Sequence, residues 1–406
     1  MKLKKQIIYC SYDGLLDPLG RSQVIPYLEG ISKNLTFSIT IISFEKNLNH
    51  NQIIDFKEIL NKKNIHWIPL SYTKKPAVIS TIWDIIRLKI QLNKIDKYQK
   101  IELIHCRSYI TSIVALQLKK KKNIPFIFDM RGFYADERVD GKIWNNKNFI
   151  HKIIYNYFKK KERQFIKYAD YTISLTKNGK KEIESWKLPV QSPIEVIPCC
   201  TDENLFQISN INDKREELGI NENDFIISYV GSIGTWYMLD EMLDFFRILL
   251  TKKPNSKFLF ITKDDTKTIK LMGKKKKIDS NKFIFQSSSR EMIPSYIGLS
   301  DISIFFILPV YSKKASSPTK MGEIMNLGIP IICNSGIGDV DKIMMECLPK
   351  YLIKSFNEKE YERVCNNVIN SNHNRDLIIS TSKKYYSLSV GIERYCKVYK
   401  KVINLG

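Results

Sequence analysis

Short apolar runs alternate with longer amphipathic stretches along nearly the whole chain. The runs at 6–11, 37–44, 66–70, 103–106, 126–129, 171–174 and 195–197 read as strands, with helical patterns at 22–33, 79–97, 110–122 and 149–168 among them. A second series of strands follows at 225–230, 258–262, 282–285, 302–306, 329–333 and 351–353. Strands that are apolar throughout and separated by helices predict parallel sheets covered on both faces. Asn, Asp and Glu dominate residues 199–224, which divide the two series. The fold class is therefore α/β, with two doubly wound Rossmann-like domains facing a cleft. The predicted domains are residues 1–205 and 206–385, with 386–406 packing back on the first as an amphipathic helix. No sequence repeat relates the halves. Ligands of such sheets bind beyond the carboxyl ends of the strands, and with two domains the cleft is the natural site.

The densest strand-end segment is 316–334, SSPTKMGEIMNLGIPIICN. Ser317 suits the N-cap and Pro318 the first helical position, where its missing N–H costs nothing. Gly328 and Pro330 stop the helix. Met321, Ile324 and Met325 form its inward face, and Thr319, Lys320 and Glu323 share the other side of the first turn. Free amides at a helix N-terminus suit a phosphate, Lys320 adds a full charge, and Ser316, Ser317 and Thr319 add hydroxyls. Glu323, one turn on, could accept from sugar hydroxyls. The alternative is an ordinary α/β helix whose Lys320 and Glu323 are simply solvated.

The run E-I-M-N-L-G-I-P-I from Glu323 resembles the second half of the donor-site motif of retaining GT-B glycosyltransferases of family 4, "E-A-M-A-x-G-x-P-V". The first Glu of that motif would fall at Ala315, and S-S-P-T-K stands in its place, as in a variant of the family. The resemblance implies a GT-B fold, a C-terminal donor-binding domain, an N-terminal acceptor-side domain and a nucleotide-sugar donor. Its reaction would be transfer of a sugar, with retention of configuration, to a glycan or lipid-linked acceptor in bacterial surface polysaccharide synthesis.

Three other strand-end loops carry candidate chemistry. YDGLLDPLGRSQ, residues 12–23, has turn glycines, a turn proline and Ser22 as a candidate N-cap. In the family the matching loop faces donor and acceptor, so Asp13, Gly20, Arg21 and Gln23 are candidate acceptor contacts, against a plain solvated turn. DMRGFYADERVDGKIW, residues 129–144, is charged directly after an apolar strand. Relatives carry His or Asp near here. Arg131 takes the His position; it is a poor proton acceptor but a good partner for phosphate or carboxylate. Asp136 and Glu137 are candidates for a base, Asp129 for holding Arg131 in place, and a structural ion-pair network is the alternative for the whole stretch. VGSIGTWY, residues 230–237, offers Gly231, Ser232, Gly234 and Thr235 to a phosphate, with Trp236 and Tyr237 to stack on a base or close over a sugar. The Arg and Lys usual in the family are missing here, so Lys320, or Lys263 after the strand at 258–262, would supply charge.

The length of 406 residues supports two full cores, and 43% hydrophobic and 11% aromatic content argue for a globular chain. No apolar run is long enough to span a membrane, and Tyr12 and Asp13 interrupt the N-terminal one, which reads as a strand rather than a signal peptide. The eight cysteines lack metal-ligand spacing and read as core residues of a reducing cytoplasm. The five histidines do not cluster; His105, at a strand end, has two readings, facing the cleft or, the one preferred, packed or solvated. With no Asp-x-Asp at a strand end, neither a catalytic metal nor another cofactor is expected. The net charge of +23 has three readings: nucleic acid, an anionic membrane surface, or acidic substrates, with AT-rich coding bias as the background. No nucleic-acid motif accompanies the lysines, so peripheral contact with the anionic inner face of the cell membrane is the economical functional use. Two other activities stay open: a sugar-nucleotide epimerase of the same fold, and a non-catalytic glycan-binding protein.

Overall fold

The computed structural model describes residues 5–403 except 36, 48, 77, 146, 209, 210 and 371. It contains two compact units. One holds the residues up to Pro198 together with those from Leu388; the other is Cys199–Ser387. Residues 199–205 therefore belong with the second unit.

The first unit is built on seven strands: β1 Gln6–Ser11, β2 Ser38–Glu45, β3 Ile65–Ser71, β4 Ile101–Arg107, β5 Phe126–Asp129, β6 Tyr171–Ser174 and β7 Ile194–Val196. They pair in parallel in the order β3-β2-β1-β4-β5-β6-β7. Every residue of β1 and β5 is buried, as in a sheet covered on both faces. The second unit has six strands: β8 Phe225–Val230, β9 Ser256–Ile261, β10 Phe283–Gln286, β11 Ile302–Phe305, β12 Ile331–Asn334 and β13 Leu352–Ile353. Their order is β10-β9-β8-β11-β12-β13, again parallel. All thirteen predicted strands are present. Strand order reverses between β1 and β4, and between β8 and β11, which opens a crevice at their carboxyl ends.

The helix expected at 22–33 is two helices, Pro18–Gln23 and Ile25–Asn34. Pro26 has no N–H to continue the ladder, and Val24 takes a non-helical conformation between them. Ser22 is consequently not an N-cap; it lies inside the first helix, and its hydroxyl donates back to the Pro18 carbonyl at 2.8 Å. The C-terminal helix Leu388–Val402 packs on Ile25–Asn34. Gly30 is needed there, because a Cβ would stand 2.2 Å from Ile392. All eight cysteines are free thiols, seven of them buried.

Candidate active site

In the second unit, helix Thr319–Asn326 runs from the β11 side to β12. Met321, Ile324 and Met325 are fully buried, and Gly328 ends the helix with φ +71°. The start differs from the expectation. Pro318 holds the N-cap position with extended backbone, and the Ser317 hydroxyl instead accepts from the Cys199 N–H at 3.1 Å. The solvated alternative for the outer face does not hold either, since Lys320 is only 7% and Glu323 only 6% exposed.

Lys320 has an unusual environment. Its Nζ lies 3.6 Å from the ring centre of Tyr237 and 4.1 Å from that of Tyr229, and has no hydrogen-bond partner. Cation–π contact is worth about 0.5–2 kcal/mol, whereas burying an ammonium costs several. The balance is unfavourable, and burial pushes its pKa well down, with Glu323 opposing the shift. Glu323 is pushed up by burial, opposed by the Arg290 guanidinium, whose Nη2 donates to Oε1 at 2.8 Å, and by Lys320. Arg290 follows β10 and also lies over the Phe206 ring.

Gly231 ends β8 with φ +111°, and a Cβ on it would stand 3.2 Å from Lys320 Nζ. The loop it opens is pinned at two points: the Tyr229 hydroxyl donates to the Ser232 carbonyl, and the Ile233 N–H to Asp264. Ser232, Gly234 and Thr235 are exposed. The structure thus brings Gly231, Lys320 and Glu323 together. Lys263 is exposed after β9, next to Asp264, which ties that turn to this loop. Trp236 and Tyr237 each carry a lysine on a ring, Lys313 at 3.5 Å and Lys320 at 3.6 Å. Arg290 and Asp264 were missed in the sequence. Arg290 reaches Glu323 from 33 residues away, and no local pattern signals that.

In the first unit, the carboxyl ends of β1, β4 and β5 gather a buried polar cluster. His105 Nδ1 is 2.6 Å from the Tyr399 hydroxyl and Nε2 is 3.4 Å from Asp129 Oδ2, which also accepts from Tyr395 at 3.1 Å. Burial alone would raise the Asp129 carboxyl; the Arg131 charge, the His105 hydrogen bond and Arg107 outweigh it and hold it below its ordinary value. Burial lowers the His105 pKa against the pull of Asp129, and Arg107 and Arg131 lower it further. The imidazole is therefore neutral, giving Nε2–H to the carboxylate and accepting from Tyr399. Arg131 adopts φ +59° and pairs with Asp129 at 3.8 Å, while Arg107 Nε sits 3.5 Å from Asp13.

The remaining candidates separate. Asp136 is buried and accepts from Tyr155 and Lys159, both at 2.8 Å; Lys159 also pairs with buried Glu162. Asp136 thus belongs to the structural network that was the alternative for its stretch. Glu137 is half-buried in the first turn of helix Tyr134–Asp140. Gly20 is a packing position, buried against Gly14 and Leu15, and Gln23 is buried as well. Arg21 is exposed and lies over the Phe56 ring. The loop after β1 is shaped by a residue the sequence did not flag. Buried Glu45, at the end of β2, accepts the Leu15 and Leu16 amides at 2.7 and 3.3 Å.

The profile described as Glycosyl transferases group 1 matches residues 210–385, and the one described as Glycosyltransferase Family 4 matches residues 50–205. A search of curated protein sequences gives no match. Among solved structures, sucrose-phosphate synthase from Thermosynechococcus elongatus superposes with a TM-score of 0.77 at 11% identity, covering 99% of this chain and 100% of that one. HepE from Anabaena, in complex with UDP and glucose, gives 0.72 at 12% identity, covering 98% and 100%. A glycosyltransferase from Rickettsia africae gives 0.70 at 15%, covering 99% and 100%. At such identities these structures speak for the fold; the profiles speak for the family.

Proposed function

This chain belongs to the family 4-like GT-B glycosyltransferases, and we propose that it moves a sugar from a nucleotide-sugar donor to a glycan or lipid-linked acceptor with retention of configuration. The family match favours this over the epimerase and non-catalytic readings. The proposed setting is bacterial surface polysaccharide synthesis at the cytoplasmic face of the cell membrane. The observation that carries the donor half is Lys320, a buried ammonium without a hydrogen-bond partner, lying against Gly231 one turn before Glu323. HepE, of the same fold, binds UDP and glucose, which supports a nucleoside diphosphate here.

Breaking the glycosidic bond leaves negative charge on the departing diphosphate. Lys320, the first amides of helix Thr319–Asn326 and those of the Gly231–Thr235 loop would meet that charge, and groups already aimed at it need little reorganisation. A diphosphate would also give the Lys320 ammonium a hydrogen-bonding anion in addition to the charge of Glu323, so donor binding would relieve part of its burial cost. Glu323, oriented by Arg290, would accept from ribose hydroxyls. Charge neutralisation is assigned to these groups, with no resident metal invoked. On the acceptor side, Arg131 and Asp13 would meet polar or anionic groups. Since Ala315 replaces a carboxylate of the family motif, contact to the transferring sugar must come from other groups.

Thermal stabilisation by UDP, GDP, ADP and CMP, in wild type and in Lys320→Ala and Glu323→Ala, tests the reading. One nucleotide should stabilise the wild type selectively, and neither variant should respond. Indifference of the wild type to all four would overturn the donor assignment.

A further inference from the structure

The first unit carries apolar surface that its own core does not use. Helix Ile79–Tyr98 buries Ser80, Asp84, Leu88 and Leu92. Its other face presents Ile79, Ile82, Trp83, Ile86 and Ile90 to solvent, with Ile79 64% and Trp83 55% exposed. At 100° per residue these five fall within an arc of about 100°, one continuous stripe. Helix Phe149–Tyr168 repeats the arrangement. Phe158, Phe165 and Ile166 are buried, while Phe149, Ile150, Ile153 and Tyr157 are exposed, Phe149 to 75%.

The two stripes belong to one layer. Helix Ile79–Tyr98 precedes β4, helix Ser108–Lys122 joins β4 to β5, and Phe149–Tyr168 precedes β6. The middle helix packs against both others. The strands are parallel, so all three helices start at the carboxyl edge of the sheet, where Asp13, Arg107 and Arg131 also lie. Ile79 and Phe149, first residues of their helices, mark that edge.

Charge indicates what covers these stripes. Residues 74–95 contain five Lys or Arg and a single acid, Asp84, which is buried and accepts from Tyr12 and Thr73. Residues 141–161 contain six lysines and no acid. Isoleucine stripes bordered by lysines, with Trp83, Phe149 and Tyr157 among them, match the composition of helices that lie in a bilayer interface. Among the described residues no helix is long and apolar enough to cross a membrane, so the geometry is one of lying on the surface.

We propose that the exposed faces of helices Ile79–Tyr98 and Phe149–Tyr168 form one docking surface for an anionic lipid bilayer. The apolar side chains enter the interface, and Lys74, Lys75, Lys147 and Lys152 meet lipid phosphates. Docking this way holds the carboxyl edge of the first sheet near the headgroups, where a lipid-linked acceptor is presented. That last consequence rests on the acceptor reading above; the docking does not.

The test uses the full chain and vesicles of equal parts phosphatidylglycerol and phosphatidylcholine, against phosphatidylcholine alone. Wild type should co-sediment with the anionic vesicles, and brominated lipid should quench its tryptophan fluorescence. The combined variant Ile82→Gln, Trp83→Gln, Phe149→Gln, Ile150→Gln changes only exposed side chains and should lose binding by about tenfold or more. Trp83→Phe should keep binding but lose most of the quenching. Undiminished binding by the combined variant, or unchanged quenching in Trp83→Phe, overturns the proposal. So does a wild type that ignores vesicles but self-associates in light scattering, with the association lost in the combined variant. Stabilisation by whichever of UDP, GDP, ADP and CMP the wild type selects, measured on the same samples, should be unaffected, so failure of the docking surface and failure of the donor site are read separately.

Discussion

The Lys320 ammonium closes on Gly231, lying 3.2 Å from where a Cβ on that glycine would stand. The positive φ demands glycine at this position, and a Cβ would also press the ammonium back by a few tenths of an ångström. Gly231→Ala should destabilise the protein by about 1–3 kcal/mol and weaken nucleotide binding, because the loop and Lys320 must move apart. Calorimetric titration with the nucleotide that stabilises the wild type checks this; unchanged affinity would remove Gly231 from the donor site.

Removing the Lys320 charge should separate stability from function. Its folded pKa lies below the unfolded one, so between the two values the unfolded chain binds more protons, and below both the whole burial penalty of the ammonium counts against folding. Lys320→Met should therefore raise ligand-free stability by about 1–4 kcal/mol while abolishing stabilisation by nucleotide. A variant that is less stable than wild type would mean that the ammonium has a partner in solution.

Arg290 and Glu323 should behave as a unit. Arg290→Ala leaves a buried carboxylate without its donor and should cost about 1–3 kcal/mol. Adding Glu323→Gln should restore part of the loss. Urea unfolding of the four members of this cycle measures the coupling, and strict additivity would count against the pair.

Asp136 and Arg131 should part company. Asp136→Asn weakens bonds from Tyr155 and Lys159 and should lower stability, with turnover per folded molecule nearly kept. Arg131→Ala should lower transfer more than it lowers Tm. The opposite pattern, measured by melting and by transfer rate, would restore Asp136 as a candidate base.

The His105 imidazole, neutral and buried, links stability to acid. Its folded pKa is below the ordinary 6.5, so the unfolded chain takes up a proton first and stability falls as pH drops from 6.5 toward the folded value. Asp129, also held low, adds a further loss as pH falls below 3.8 toward its folded value. His105→Asn should flatten the upper limb of the profile. Identical slopes between pH 6.5 and 5 in wild type and variant would show that His105 does not titrate there.

Much of this protein is legible in one dimension. Strands such as Gln6–Ser11 and Phe225–Val230 are apolar runs bounded by turn residues, and period alone places them. The stop at Gly328 and the inward face of Met321, Ile324 and Met325 are equally local. So is the list of charged residues at strand ends, since those loops follow apolar runs. What the sequence leaves open is which of those charges meet. Lys320 and Glu323 look solvated or ligand-facing from their helix position. Only the fold puts Tyr229, Tyr237 and Arg290 around them, because pairing across 33 to 91 residues is set by strand order and not by spacing. The Ser317 and Ser22 caps fail for a related reason: a hydroxyl takes whichever partner the packed chain brings near. Asp136 and Arg131, five residues apart, are alike on paper. Backbone direction after β5 sends one to the Phe149–Tyr168 helix and the other to Asp129. Periodicity and turn chemistry determine the elements and hence the fold; the environment of each charge depends on burial, and burial is a property of the folded chain alone.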